Sequence, residues 1–217
     1  MREPSLWEVQ KQRNPGHSRR YIERFETMRA QGADLNGEAR FVDAMVPRGA
    51  AILDAGAGPG RVGGELTRRG HRVVGVDIDP DLVDQARIDH PEATWAVGDL
   101  ADLDSALAPG YQGSFDAVVC AGNVMTFLAP STRRAVLAGF ASALVPQGRA
   151  AIGFGAGRGY DFTDFFDDAA AAGLSPSLTL GTWDLKPFSD DSTFLVAILE
   201  KPADPAQNKG ARTSLLG

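Results

Sequence analysis

The residues best placed for chemistry sit in one short stretch of this 217-residue chain, "AILDAGAGPGRVGGELTRRGHRVVGVDIDP". Asp54, Gly56, Gly58 and Gly60 alternate through its first third, and Asp77 closes the apolar run "HRVVGVD". Glycines let a backbone turn tightly and approach a ligand with no Cβ in between. The segment from Arg61 reads as a helix, whose first N–H groups favour an anionic group beside that loop. An acid ending the next strand can accept hydrogen bonds from both hydroxyls of a ribose. These features predict a site for a nucleoside-containing ligand. Two frames fit. Gly58-Pro59-Gly60-Arg61-Val62-Gly63 spells G-x-G-x-x-G, the dinucleotide fingerprint, a weak signal among 25 glycines. Asp54 to Gly60 spells D-x-G-x-G-x-G, which also uses the strand-end acid.

Such a loop needs a sheet to carry it. "AAILDA", "HRVVGVD", "ATWAVGD", "FDAVVCAG" and "GRAAIGFGA" are apolar runs without alternation, the pattern of strands covered on both faces and hence of a parallel sheet. The segments between them read as helices. One runs from Arg61 to Arg69 and stops at Gly70. Another follows Asp79 as N-cap with Pro80 at its first position, and a third spans Ser131 to Val145, ending before Pro146. Upstream, Tyr21, Ile22, Phe25 and Met28 make a narrow helical stripe broken by Gly32, and Gly37 to Met45 reads as a second short helix. A helix over 162–172 precedes "SLTLGTWDL" and "STFLVAILE", two strand-like runs with no helix between them, which should pair antiparallel. The expected fold is α/β, doubly wound, a mostly parallel seven-stranded sheet with a C-terminal antiparallel hairpin and helices on both faces. The expected organisation is an N-terminal helical extension over 1–36 able to act as a lid, a main domain over 37–200, and a disordered tail over 201–217.

Composition narrows the class. Hydrophobic residues make up 43% and charged residues 23%, ordinary for a globular protein, and no apolar run reaches membrane-span length. Over 31–200 there are 12 Lys+Arg against 23 Asp+Glu, an acidic body poorly suited to nucleic acid, whereas 1–30 hold seven against four. That basic segment reads first as a solvated helix face; strongly salt-dependent RNA binding would instead indicate a tRNA or rRNA substrate. One cysteine, Cys120, excludes a disulfide framework and a thiolate zinc cluster, and it reads as core. His71 and His90 flank loops, and the expectation is that they are solvent-exposed, with no metal-ligand company. The N-terminus has no apolar h-region, so the expected location is cytoplasmic.

The ordered motifs resemble those of the class I S-adenosylmethionine-dependent methyltransferases over roughly Gly37 to Glu200. "ILDAGAGPG" resembles their first motif through Asp54, Gly56, Gly58 and Gly60. "VVGVDID" resembles the second, which implies Asp77 as the ribose acid and Ile78 beside the adenine. "VGDL" resembles the third, which implies Asp99 near the adenine amino group and Leu100 presenting its backbone. "FDAVVCAGNVMTFL" resembles the fourth, a strand leading through Ala121 to the methyl-transfer site. The terminal hairpin also matches that family's fold. The resemblance implies S-adenosylmethionine as cofactor, S-adenosylhomocysteine as product, and in-line transfer of a methyl group.

"AGNVMTF" departs from the Asn/Asp-Pro-Pro-aromatic pattern of adenine and glutamine N-methylation, which argues against those acceptors. No residue stands out as a general base. Candidate acceptor contacts are Tyr21, Asn123, Arg158 and Tyr160. Tyr21 reads equally as an apolar anchor of its helix, and Asn123 more readily as a loop stabiliser. "GFGAGRGYDF" reads as a flexible loop over the pocket. The polar residue His17 is a weak candidate base, and Trp183, expected on a strand, reads as core or sheet surface. The leading expectation is a methyltransferase acting on a small-molecule acceptor, without metal or membrane partner. The competing readings are an NAD(P)-binding oxidoreductase and a non-catalytic S-adenosylmethionine-binding protein. The oxidoreductase reading predicts a Tyr-x-x-x-Lys pair, which Tyr21, Tyr111 and Tyr160 do not make.

Overall fold

The structure is a computed structural model, and it describes residues 2–203; the tail expected over 201–217 lies, from 204 onward, outside the described residues. Seven strands form one sheet: β1 (Ala51–Ala55), β2 (Arg72–Asp77), β3 (Thr94–Val97), β4 (Phe115–Cys120), β5 (Leu144–Gly155), β6 (Ser175–Leu180) and β7 (Phe194–Glu200). Their order is β3-β2-β1-β4-β5-β7-β6. The first five run parallel, and β7 inserts antiparallel between β5 and β6. The strand order reverses between β1 and β4, so the carboxyl ends of these two strands flank the crevice where such sheets bind ligands.

Nine helices surround the sheet among the described residues: α1 (Leu6–Arg13), α2 (His17–Ala30), α3 (Gly37–Met45), α4 (Arg61–Arg68), α5 (Pro80–Asp89), α6 (Leu103–Ala106), α7 (Val124–Phe127), α8 (Arg133–Ala143) and α9 (Phe162–Ala171). Each central strand feeds two cores because its side chains alternate between faces. Leu53, Val118, Ile152 and Leu195 pack beneath α8 and α9 with Phe140 and Phe165. Ile52, Val119, Ala151 and Val196 pack on the other face with Val42 of α3 and Leu66 of α4. Cys120 is fully buried in the first core, and burial drives its thiol far up from the ordinary range.

Several details differ from the expectations. The helix expected over Ser131–Val145 is α8, shorter at both ends. Leu144 is extended (φ −70, ψ 142), and the chain from there through Pro146 is already β5. Trp183 lies not on a strand but in the turn after β6, edge-on to Phe41 with ring centroids 5.6 Å apart. His71 is buried, at 4% exposure, with Nε2 2.9 Å from Asp43 Oδ1 on α3, so it fastens α3 to the β2 edge. His90 is half-buried, its ring packed where a Cβ on Gly64 would lie. Helix α1 has no counterpart among the helices expected from the sequence pattern.

Candidate functional site

The floor of the crevice is the loop after β1. Gly56, Gly58 and Gly60 all have left-handed φ, at +77, +55 and +80. Gly56 cannot be another residue without rearrangement: a Cβ there would lie 2.4 Å from Val124 Cγ2. Two buried carboxylates pin this loop through backbone donors. Asp54 Oδ2 accepts the Gly63 N–H at 2.8 Å, tying the first turn of α4 to the end of β1. That approach needs the bare backbone of Gly63, because a Cβ would stand 2.8 Å from the same oxygen. Asp77 Oδ2 accepts the Gly58 N–H at 2.8 Å, and its Oδ1 accepts the Asp79 N–H at 2.9 Å. Burial pushes the Asp54 carboxyl up to about 7, against the pull of the Gly63 N–H. Burial likewise pushes Asp77 up to about 6, the Asp79 and Gly58 N–H groups holding it down.

Above this floor lies a cleft lined by Gly56, Gly58, Asp77, Ile78, Asp99 and Leu100 from the sheet ends. A smaller hollow adjoins it, lined by Asp54, Ala121, Gly122 and Arg61. Tyr21 lines both and stands at their junction, with its Cε1 3.7 Å from where a Gly58 Cβ would lie. Asp99 Oδ1 accepts the Ala101 N–H at 2.9 Å, so it caps the turn over Leu100–Asp102 as well as facing the cleft. Gly60 lies behind the loop, against Ala86 and Trp95.

The structure thus brings Asp54, Gly56, Gly58, Asp77, Ile78, Asp99, Leu100, Ala121 and Tyr21 to one place. It treats the remaining acceptor candidates differently. Asn123 has φ +66, and its Oδ1 accepts the Gly155 N–H at 2.8 Å, a bond that ties the end of β4 to the end of β5. Arg158 is exposed, its Nε 3.2 Å from where a Gly155 Cβ would lie. Tyr160 is turned away from the cleft. It is 1% exposed, stacks on Phe154 at 5.7 Å, lies under the Arg133 guanidinium and donates to Asp168 Oδ2 at 2.8 Å. Tyr160 therefore packs the core where an acceptor contact was expected. His17 packs edge-on to Trp7, its ring centroid 4.5 Å from that of the indole.

The other wall includes Trp7 of the N-terminal extension and Phe127 and Leu128 of the fourth motif, together with Arg2, Ser5 and Thr132, which sequence reasoning missed. Helix α1 starts at a capping box: Ser5 Oγ accepts the Glu8 N–H at 3.2 Å, and Glu8 Oε2 accepts the Ser5 N–H at 2.8 Å. That Ser-x-x-Glu spacing is the signal that would have found α1. Arg2 Nε then pairs with Asp99 Oδ2 at 2.8 Å. Arg61, at the start of α4, binds Glu38 Oε1 at 2.6 Å and lies 5.5 Å from the Phe25 ring centroid, tying α3 and α2 to the glycine loop. Among the described residues no group of three or more His, Cys, Asp or Glu is placed to hold a metal ion.

Residues 52–148 match the family model "Methyltransferase domain". The chain is 50% identical to a solved TehB-like SAM-dependent methyltransferase from Corynebacterium glutamicum, covering 87% of this chain and 100% of that one with a TM-score of 0.81. It shares its fold, at 19% identity and a TM-score of 0.61, with the 1,6-didemethyltoxoflavin-N1-methyltransferase of Burkholderia thailandensis, solved with S-adenosylhomocysteine; that match covers 85% of this chain and 87% of the other. Among curated proteins it is 40% identical over 91 residues to the magnesium-protoporphyrin O-methyltransferase of Rhodobacter capsulatus, which is 40% of this chain and 38% of that protein. It is 34% identical over 105 residues to the ubiquinone biosynthesis O-methyltransferase of Xanthomonas axonopodis pv. citri, 48% of this chain and 43% of that protein. The chain therefore matches about two fifths of the length of these curated relatives.

Proposed function

This chain belongs to the S-adenosylmethionine-dependent methyltransferase family, and we propose that it binds S-adenosylmethionine in the cleft over the β1 loop and transfers the methyl group to a small-molecule acceptor. The observation that carries this reading is the paired pinning of the glycine loop by Asp54 and Asp77 at the strand-order switch. The residues present fit the cofactor. Gly56 and Gly58 offer bare backbone, and Asp77, though it holds two N–H groups, still lines the cleft with lone pairs for ribose hydroxyls. Ile78 and Leu100 supply apolar surface for an adenine, with Asp99 at its edge. The hollow beside Arg61 and Tyr21 takes the amino-acid end.

When bound, the cofactor supplies a methyl group already activated by a positive sulfur. This chain's own contribution is alignment and exclusion of water. Trp7, Tyr21 and Phe127 wall the site with aromatic surface. Val124 packs directly against Gly56 and fixes the loop that forms the floor of the cleft. The acidic surface between residues 31 and 200 disfavours nucleic acid, and two curated relatives named as O-methyltransferases favour an oxygen nucleophile on a small molecule.

Isothermal titration calorimetry with S-adenosylhomocysteine, with NAD in parallel and Asp77→Ala as control, tests the reading. Micromolar binding of S-adenosylhomocysteine that disappears in the variant is the expected result. Binding of NAD instead, or of neither ligand, would overturn it.

A further inference from the structure

Asp79 is spent on something the cofactor reading does not require. It is 1% exposed, and its carboxylate gathers four donors. One is the Asp81 N–H at 3.0 Å, the ordinary capping bond of α5. The other three come from the N-terminal helices: Trp7 Nε1–H at 2.8 Å, the Lys11 ammonium, and the Ser18 hydroxyl. Burial opposes ionisation of this group, yet Lys11, Ser18 and Trp7 together hold its carboxyl below the usual carboxylate range. A helix cap needs one acceptor oxygen and no cation, so the remaining capacity holds α1 and α2 in place.

The position of this hub matters. The Asp79 N–H is also the donor to Asp77 Oδ1, so one three-residue segment carries the ribose acid, the adenine-facing Ile78 and the anchor of the N-terminal helices. The helices it anchors supply Trp7, Ser5 and Tyr21 to the cleft wall. With them seated, the cleft encloses about 80 Å³, well below the roughly 300–1,000 Å³ of small-molecule sites. A nucleoside-sized ligand needs more room than this, and the wall that borders the space is the one supplied by the N-terminal segment.

We propose that Asp79 is a positioning residue for methyl transfer, one that re-seats α1 and α2 over the bound nucleoside by collecting Trp7, Lys11 and Ser18 on a single carboxylate. The inference rests on the cofactor reading above. Asp79→Asn separates the two roles of the side chain. Asparagine remains a good helix cap through its carbonyl oxygen, but its amide nitrogen donates where donors already converge, and it leaves Lys11 only the exposed Asp81 carboxylate, 2.8 Å away, as an anionic partner.

The test compares wild type, Asp79→Asn, Trp7→Phe and Lys11→Met by S-adenosylhomocysteine calorimetry, thermal unfolding, and trypsin cleavage at Arg13, Arg19 and Arg20 with and without that ligand. The expected result is that ligand protects α1 and α2 in the wild type and fails to do so in Asp79→Asn. Affinity should then fall by about tenfold, the loss of one charge-assisted contact set, with thermal unfolding shifted by no more than a few degrees. Lys11→Met and Trp7→Phe should each reproduce part of the loss, which keeps the proposal testable even if Asp79→Asn does not fold. Unchanged affinity and unchanged ligand protection in the variants that fold would overturn the proposal. A wild type that binds no S-adenosylhomocysteine would instead overturn the cofactor reading, so the two failures are distinguishable.

Discussion

The floor of the cleft and its cap are built by opposite means. In the floor, acids meet backbone donors close by in sequence: Asp54 takes the Gly63 N–H and Asp77 takes the Gly58 N–H. In the cap, side chains reach across long separations. Trp7, Lys11 and Ser18 converge on Asp79, Arg2 on Asp99, and the Ser131 hydroxyl donates to Glu3. Only proline deletes a backbone donor, so the floor fails when its space or its acids are altered, and then fold and site fail together. The cap hangs on side-chain contacts, most of them gathered at Asp79, and the sheet does not depend on them.

Gly56→Ala is the sharpest way to break the floor. The new methyl meets Cβ and both methyl carbons of Val124, the nearest at 2.4 Å, on a backbone with φ +77. The left-handed backbone costs about 1–2 kcal/mol for a residue with a Cβ, and the overpacking about 1–3 kcal/mol more. Thermal unfolding should fall by several degrees and S-adenosylhomocysteine binding should vanish with it. A variant of wild-type stability and affinity would show that the loop is not the rigid element described.

The next effect separates floor from cap by pH. Asp54 and Asp77 have folded-state pKa values of about 7 and about 6, above the ordinary 3.8. The folded state holds these protons more tightly than the unfolded chain does. Their contribution to stability is full below about pH 4 and is lost as pH rises through the folded-state values. Asp54→Asn should therefore flatten the fall in unfolding temperature of the unliganded protein between pH 4 and 7. Ligand affinity runs the other way. If Asp77 is the ribose acid as proposed, the hydroxyls donate to its ionised form, and S-adenosylhomocysteine should bind best above about pH 6 and weaken by roughly tenfold per unit below it. Calorimetry from pH 5 to 8 measures this directly, and a pH-independent dissociation constant would remove Asp77 from the ribose site.

The same contrast explains what the sequence disclosed. Floor residues form a local pattern, so alternating glycines and a strand-end acid reveal Asp54, Gly56, Gly58 and Asp77 without any tertiary information. The five parallel strands and the antiparallel β6–β7 pairing were legible for a similar reason: uninterrupted apolar runs mark doubly covered strands, and no helix fits between the last two. The N-terminal segment read as an extension able to act as a lid, but its attachment was not legible, because nothing local links Trp7 to Asp79 and Asp79 already had a sufficient explanation as the cap of α5. Tyr160 misled in the opposite sense. Its glycine-rich neighbourhood suggested an exposed loop, but the ring turns inward onto Phe154 while Arg158 stays outside. The continuation of β5 back through Pro146 was hidden because proline after a helical stripe reads as a stop, whereas here the chain is already extended at Leu144.

The smallest predicted effect tests whether the cap depends on its hub or on the order of its first helix. Ser5→Ala removes the hydroxyl that accepts the Glu8 N–H, but the backbone N–H at position 5 can still donate to Glu8 Oε2, and Arg2 still binds Glu8 at 2.6 Å. Losing such a cap costs about 0.5–1 kcal/mol at the low end of measured values. That loss is local, because α1 buries none of its own residues and the sheet does not rest on it. Global unfolding should be unchanged, while amide exchange at Glu8 and Val9 accelerates and S-adenosylhomocysteine affinity falls by about two- to fivefold. Asp79→Asn should weaken binding more than this without unravelling α1, because it detaches an intact helix. If Ser5→Ala weakens binding as much as Asp79→Asn does, helix order and not the carboxylate hub controls the wall of the cleft.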